Sequence, residues 1–157
     1  MAGCSEVLDK AREALSEFNP EIVEGRLVIY GTSGRLDFVF TAECTGEGKM
    51  LILTGIPGFF SRLPRGEPGR RILEALLDLA GKEYILVSKA DENLLLAEPG
   101  PVEPSVVSVQ RFFSLSALVV LWLTRQIESA ASGGEVRPFS LDEIASSLGA
   151  ESGNSGS

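Results

Sequence analysis

Residues 111–125 read RFFSLSALVVLWLTR, and this stretch decides how the chain must fold. No charged residue lies between Arg111 and Arg125, and most positions there carry a large apolar side chain. At about 100° per residue these side chains point to every side of a helix. A helix that is apolar all round must be covered all round. The uncharged run spans roughly 18–20 Å as a helix, short of a bilayer core of about 30 Å, so we expect protein to cover it and no membrane to bind it.

The sequence is compatible with two arrangements that would cover this helix. In the first, one side packs on the chain's own sheet and the other on a second copy or on another protein. The residues predicted to anchor that interface are Phe113, Leu118, Leu121 and Trp122, because large side chains, aromatic ones above all, dominate interface cores. In the second, a single chain wraps the helix on every side.

The segments before this helix predict a helix and a three-stranded meander. In residues 5–18 apolar side chains recur every three to four positions, which indicates an amphipathic helix. Residues 35–43 alternate between apolar and polar side chains, as in a strand with one face buried. Strands are also predicted at 22–30 and 49–55, joined by glycine-containing turns. The strand at 49–55 is apolar on both faces, so we expect it to be central or covered on both sides.

A loop rich in proline and arginine follows at residues 56–69. A helix is predicted at 70–80, a hairpin of strands at 83–89 and 94–98, and the long apolar helix at 105–131. The element order is therefore α-β-β-β-α-β-β-α. This order predicts an α+β fold, in which a five-stranded antiparallel sheet carries the helices.

The domain organisation follows from this order. Residues 1–132 are predicted to form a single α+β domain, residues 133–150 a linker with a short helix, and residues 151–157 a disordered tail. The short helix, SLDEIASSLGA at 140–150, resembles the first helix of a helix-turn-helix, but no recognition helix follows it. We therefore expect it to dock on the body or on a partner through its apolar side chains. These are Phe139, Leu141, Ile144 and Leu148.

Three stretches carry a family resemblance: GRLVIYGTSGRLDFVFTAECTGEGKMLIL, RRILEALLDLAGKEYILVSKADENLLLAE and the apolar helix after them. In their order over residues 5–131 they resemble the group that joins the type III secretion chaperones and the YbjN-like proteins. The resemblance implies a small acidic α+β domain without catalytic activity. It also implies a homodimer that binds another polypeptide as a chaperone or adaptor. The loop at 57–69 and the segment after residue 134 depart from the usual outline of that group.

The composition narrows the classes of function. The net charge of −8 disfavours a nucleic-acid binder, because affinity for a phosphate backbone comes largely from Lys and Arg. The chain has no histidine, the commonest general base and metal ligand. No spacing of serines or carboxylates indicates a catalytic site. We therefore predict a non-enzymatic protein without cofactor or metal.

The two cysteines, Cys4 and Cys44, could form a disulfide, but free thiols in a reducing cytosol are the favoured interpretation. The N-terminal residues do not have the pattern of a signal peptide, so a cytoplasmic location is predicted. Arginine outnumbers lysine ten to four, which is compatible with a thermophilic source or with codon bias.

An alternative function uses the local concentration of positive charge at Arg62, Arg65, Arg70 and Arg71. Beside the start of a helix these side chains could hold an anion or a small molecule, with the loop at 57–69 as a lid. The competing interpretation is a solvated loop whose arginines offset neighbouring acids.

Overall fold

A computed structural model describes residues 3–141 of the chain. Most of the predicted C-terminal helix and all of the predicted tail lie outside the described residues. The helices are α1 (Cys4–Ala14), α2 (Phe59–Arg62), α3 (Glu67–Glu83) and α4 (Val106–Ala131), with a 3-10 turn at Ser16–Phe18. The strands are β1 (Glu21–Val23), β2 (Arg26–Ser33), β3 (Leu36–Cys44), β4 (Met50–Ile56), β5 (Leu86–Ala90) and β6 (Asn93–Ala97).

These strands form one antiparallel sheet in the order β1-β2-β3-β4-β6-β5. The predicted α+β class with an antiparallel sheet is confirmed. The predicted number of five strands is wrong, because the described sheet has six. The predicted strand at 22–30 is interrupted by Glu24 and Gly25, whose φ angles of 52° and 78° make a two-residue turn between β1 and β2. Such left-handed pairs match the twist of a tight hairpin.

Two further boundaries differ from the predictions. The loop predicted at 56–69 contains the short helix α2, which begins where Phe59 enters the core. The helix predicted at 70–80 continues through Gly81, which does not cap it, and ends where Tyr84 adopts a left-handed φ of 56°.

The helices cover one face of the sheet. The inner face of β3 carries Leu36, Phe38 and Phe40, which alternate with more exposed residues and join one core with α1, α3 and α4. Helix α4 crosses β2, β3 and β4. Ser105 caps its start by accepting a hydrogen bond from the Ser108 amide at 3.2 Å, which satisfies a helix-terminal donor.

Helix α4 is longer than its uncharged centre, because it continues through Arg111 and Arg125. Within residues 3–141 it is the one helix long and apolar enough to cross a membrane by length and composition. Here 44% of its most apolar 18-residue stretch is buried by the fold. The core helix of a soluble protein satisfies the same criteria.

The cysteines correct the expectation of free thiols. Cys4 at the start of α1 and Cys44 at the end of β3 form a disulfide, with their Cα atoms 5.9 Å apart. The bond was not favoured from the sequence because 40 residues separate the two cysteines. The fold brings them together because α1 lies across β2 and β3.

Candidate interaction surfaces

The face of the sheet turned away from the helices, here called the outer face, is uncharged across its centre. Because side chains alternate along a strand, the registers place ten outer-face residues in two rows that each cross five strands. One row is Val28, Thr41, Leu53, Ala97 and Leu86, and the other is Tyr30, Val39, Gly55, Leu95 and Ser88. None of these residues is charged.

Polar groups lie at the two ends of the outer face. At one end Arg26 and Glu43, directly opposite in the β2–β3 register, form an ion pair at 3.6 Å. At the other end Thr32 donates a hydrogen bond of 2.8 Å to Asp37. The outer face thus has an uncharged centre and a charged rim, as protein interfaces commonly do. The rim also includes Glu21 of β1, which lies opposite Val28.

No described helix covers the outer face. Its side chains, Val28 and Leu53 included, are absent from the core that the sheet forms with the helices. Strand β4 is central, as predicted, but within residues 3–141 only its inner face is covered. Exposure along this face is uneven, because Tyr30 and Leu86 are 69% and 55% exposed whereas Val28 is 6% exposed. An apolar surface of this kind is typical of one that meets another molecule.

Two of the four predicted interface residues are buried by the chain itself. Phe113 is 4% exposed and packs against Phe18 and Phe40, with ring centroids 4.8 and 5.3 Å away. Trp122 is 3% exposed, packs edge-on against Phe139 and donates from Nε1 to the Arg137 carbonyl at 2.9 Å.

The other two predicted interface residues, Leu118 and Leu121, are half-buried and line a groove. This groove, called the α4–β2 groove, has a volume of about 490 Å³ and also contains Phe18, Tyr30 and Phe38. Its lining residues carry no formal charge. The exposed side of α4 therefore faces an apolar depression rather than a flat surface.

The α4–β2 groove runs along an open strand edge. Strand β1 pairs with β2 only as far as Val28, so nothing in the described chain pairs with the same edge at Tyr30 and Thr32. Along an antiparallel strand, successive residues point their amide and carbonyl groups alternately to one edge and to the other. In a hairpin closed by a two-residue turn, the residues that flank the turn bond to each other. Since Arg26 and Val28 bond to β1, the backbone groups of Tyr30 and Thr32 point to the open edge.

The predicted arginine cluster does not converge in this fold. Arg70 forms ion pairs with Glu67 at 2.6 Å and with Glu74 at 2.8 Å, and Arg71 lies 3.6 Å from Glu67. The hydrogen bond from Arg70 holds the pKa of Glu67 below its usual value. Arg65 is exposed. Arg62 lies apart from them, in a hollow with Arg35 that the sequence did not indicate.

The segment after α4 is fastened to the body, although residues 133–150 were predicted to be a linker with a helix. The Arg137 amide donates to the Gln126 side chain at 2.7 Å, and its carbonyl accepts from Trp122. Phe139 also packs against the core, as its predicted docking role requires. The predicted contacts of Ile144 and Leu148 lie outside the described residues.

Within residues 3–141, no group of three or more His, Cys, Asp or Glu side chains is placed to hold a metal ion. Comparisons with protein-family models, with curated proteins and with solved structures found no match. The candidate surfaces are therefore argued from this chain's own geometry.

Proposed function

We propose that this chain is a non-enzymatic protein-binding domain, of chaperone or adaptor type, that works as a homodimer. The observation that carries the proposal is the uncharged centre of the outer face, on which no described helix packs. With strands about 4.8 Å apart and a two-residue repeat of about 6.8 Å, the two rows span roughly 24 by 14 Å. That is enough for the core of a standard interface of about 800 Å² per partner, with the polar ends as its rim.

A second copy is the occupant that the charges favour for this face. The chain carries a net charge of −8, so most approaches of one copy to another are repulsive. Repulsion is weaker at the outer face, because its central rows are neutral and its Arg26 and Glu43 compensate each other. Glu21 and Asp37 lie at its rim and not in the central rows. In a two-fold dimer the same patch must complement itself, and a neutral apolar patch does so without like-charge contacts.

The partner polypeptide is assigned to the α4–β2 groove. The open edge at Tyr30 and Thr32 offers backbone donors and acceptors to an extended segment, and the groove offers apolar contacts to its alternate side chains. Leu118 and Leu121 form the helical wall. The two predicted interface residues that remain accessible thus contribute to partner binding, while the outer face is left for self-association.

The dimer is tested by the solution mass of the 16.7 kDa chain, measured by light scattering at several hundred micromolar. We expect twice the monomer mass for the unmutated chain and the monomer mass for Leu53→Lys and Leu86→Lys. Leu77→Lys is the matched control, because Leu77 on α3 is 61% exposed and Leu86 is 55% exposed, but only Leu86 lies on the outer face. A monomeric unmutated chain would refute the homodimer, and unchanged dimers in both outer-face variants would refute this face.

Partner binding is tested separately by suppression of aggregation of a chemically denatured model protein, followed by turbidity. Leu121→Asp should lose most of the suppression and keep the dimer mass, whereas Leu77→Asp should keep both. No suppression by the unmutated dimer would count against a chaperone, and equal suppression by Leu121→Asp would remove the groove from the proposal.

A cytoplasmic location stays a prediction, and the disulfide restricts it. Structural disulfides are rare in a reducing cytosol, but they are common inside hyperthermophiles. The proposal of a cytoplasmic protein therefore goes together with the proposal of a thermophilic source, which the excess of arginine also favours.

A further inference from the structure

A hollow of about 440 Å³ lies where the β2–β3 turn, the end of α2 and the last turns of α4 meet. We call it the arginine hollow, after Arg35 and Arg62 in its wall. The wall also contains Leu36, Ile127 and Ala131, which are apolar, and Glu128. It is separate from both surfaces assigned above to protein binding.

The fold builds one side of this hollow by holding the β2–β3 turn against α4. The Thr124 hydroxyl donates to the Ser33 carbonyl at 2.7 Å. Gly34 has a φ of 60°, and a Cβ at this position would collide with the methyl group of Thr124. The turn backbone therefore packs directly on the Thr124 side chain of α4, and the next residue along the chain is Arg35.

Within residues 3–141, the two guanidinium groups of the hollow have no carboxylate partner. Among the described residues, neither Arg35 nor Arg62 has an acidic oxygen within 4.0 Å, in contrast to Arg70 and Arg71. Glu128 is likewise without an ion pair in that part of the chain. Counting the described lining residues, two positive groups and one negative group give the hollow a net charge of about +1 in a strongly acidic protein.

We propose that the arginine hollow binds a small monocarboxylate with an apolar body. Guanidinium groups present a planar set of donors that matches a carboxylate, so Arg35 and Arg62 take the charged end. Leu36 is fully buried and, with Ile127 and Ala131, offers an apolar wall to the hydrocarbon body. A monoanion neutralises the excess charge, whereas a phosphate dianion would place its second charge opposite Glu128.

The test is a titration of the ¹⁵N-labelled full chain with hexanoate at constant ionic strength, followed by amide chemical shifts. Saturable shifts are expected at residues 34–36 and 124–132, with a Kd of about 1 mM for a ligand of this size. Hexan-1-ol has the same apolar body without the charge, and acetate has the charge without the body. Both should bind at least about tenfold more weakly, since charge-assisted bonds and buried methylenes each contribute that much.

Substitutions of the charged residues test which of them contact the carboxylate of hexanoate. The double variant Arg35→Gln and Arg62→Gln should weaken hexanoate by about tenfold or more. Arg65→Gln is the matched control, because Arg65 is an exposed arginine of the same loop outside the hollow, and it should bind as the unmutated chain does. Glu128→Gln should tighten hexanoate by removing a like charge.

Three results would overturn the proposal. Equal binding of hexan-1-ol and hexanoate would show an apolar site without carboxylate recognition. Unchanged binding in the double variant would place the ligand elsewhere, and an absence of saturable shifts at these amides would remove the site. None of these results bears on the dimer or on the α4–β2 groove, so the inference and the proposed function fail independently.

Discussion

Thr54 and Ser116 bring two hydroxyl groups into the apolar layer between β4 and α4. Their oxygens lie 2.7 Å apart and both side chains are buried, so neither can turn to water. A buried hydroxyl without a partner costs far more than the bond itself contributes, and the pair is stable because each hydroxyl satisfies the other. The bond also aligns α4 with the central strand of the sheet.

Replacing one member of this pair should therefore cost more than replacing both. Thr54→Val should lower the free energy of unfolding by about 1–3 kcal/mol, because the Ser116 hydroxyl loses its partner. Adding Ser116→Ala should restore stability to within about 1 kcal/mol of the unmutated chain. Urea unfolding of the three proteins measures this. Equal losses in the single and double variants would show that the cost comes from repacking and not from an unpaired hydroxyl.

Glu98, which follows β6, predicts a small dependence of stability on pH. Burial raises the pKa of this carboxyl, and Arg111 opposes the rise only in part. A pKa that is higher in the folded state means that the folded chain holds the proton more tightly. The free energy of unfolding therefore falls as the pH rises from the pKa of the unfolded state to the pKa of the folded state. Glu98→Gln should therefore stabilise the chain at neutral pH, by no more than about 0.5 kcal/mol at this partly exposed site.

The check is a comparison of Glu98→Gln with the unmutated chain by urea unfolding at two pH values. Below the ordinary glutamate pKa of about 4.3 the difference should vanish, because the carboxyl is then protonated in both states. A variant that is less stable at neutral pH would mean that the attraction to Arg111 outweighs the burial.

Among the elements, α1 is held to the sheet in two ways. Its apolar side, with Val7, Leu8 and Ala11, is buried in the core, and the disulfide links its first residue to the end of β3. Closing a loop of 40 residues removes conformational freedom from the unfolded chain. The disulfide therefore adds stability beyond what the packing of α1 supplies.

Cys4→Ser should lower the free energy of unfolding by about 2–4 kcal/mol under non-reducing conditions. The measurement is chemical denaturation with and without a reductant. With the reductant, the unmutated chain and Cys4→Ser should unfold nearly together. If the reductant leaves the unmutated chain unchanged while free thiols are shown to be present, the link does not contribute to stability.

Elements with a strong period were predictable from the sequence, and those set by single residues were not. The long uncharged apolar run of α4 and the alternation in β3 are local features of the sequence, and they predicted both elements. The break at Glu24 and Gly25 depends on two backbone angles, which no hydrophobic pattern shows. The prediction for Trp122 had a different difficulty: Phe139, its cover, lies outside the helix, so the helical pattern alone leaves that side exposed.

The candidate sites differ in the same way: features of a single element could be predicted from the sequence, and contacts between distant elements could not. Leu118 and Leu121 were predicted as interface residues together with Phe113 and Trp122, and the two leucines are half-buried and line the α4–β2 groove. The pairing of Arg35 with Arg62 was missed, since only the tertiary fold brings a hairpin turn beside the end of α2. For Arg70 and Arg71, the ion pairs with Glu67 and Glu74 agree with the competing interpretation, in which the arginines offset neighbouring acids at helical spacing.

At the scale of the whole molecule, the fold has two layers, with helices on one side of the sheet and nothing described on the other. The proposed second copy would complete a four-layer assembly of helices, sheet, sheet and helices. Folding and association would then be linked, because the dimer forms only from folded chains.

This linkage predicts that thermal stability rises with protein concentration. Each tenfold increase should contribute about 1.4 kcal/mol per dimer, which raises the Tm by about 2 °C for two chains of this size. Differential scanning calorimetry over two decades of concentration measures the rise. Leu53→Lys should show a Tm independent of concentration, and a flat response in the unmutated chain would agree with a monomer.

Helix α4, which closes the core, is also the last described helix to leave the ribosome. The sheet is complete at Ala97, whereas the part of its inner face that α4 covers stays open until α4 reaches Ala131. At about 5–20 residues per second, synthesis of that interval takes roughly 2–7 s. During these seconds the nascent chain presents a sheet that is apolar on both sides, and a message truncated within α4 would yield a product that aggregates instead of folding.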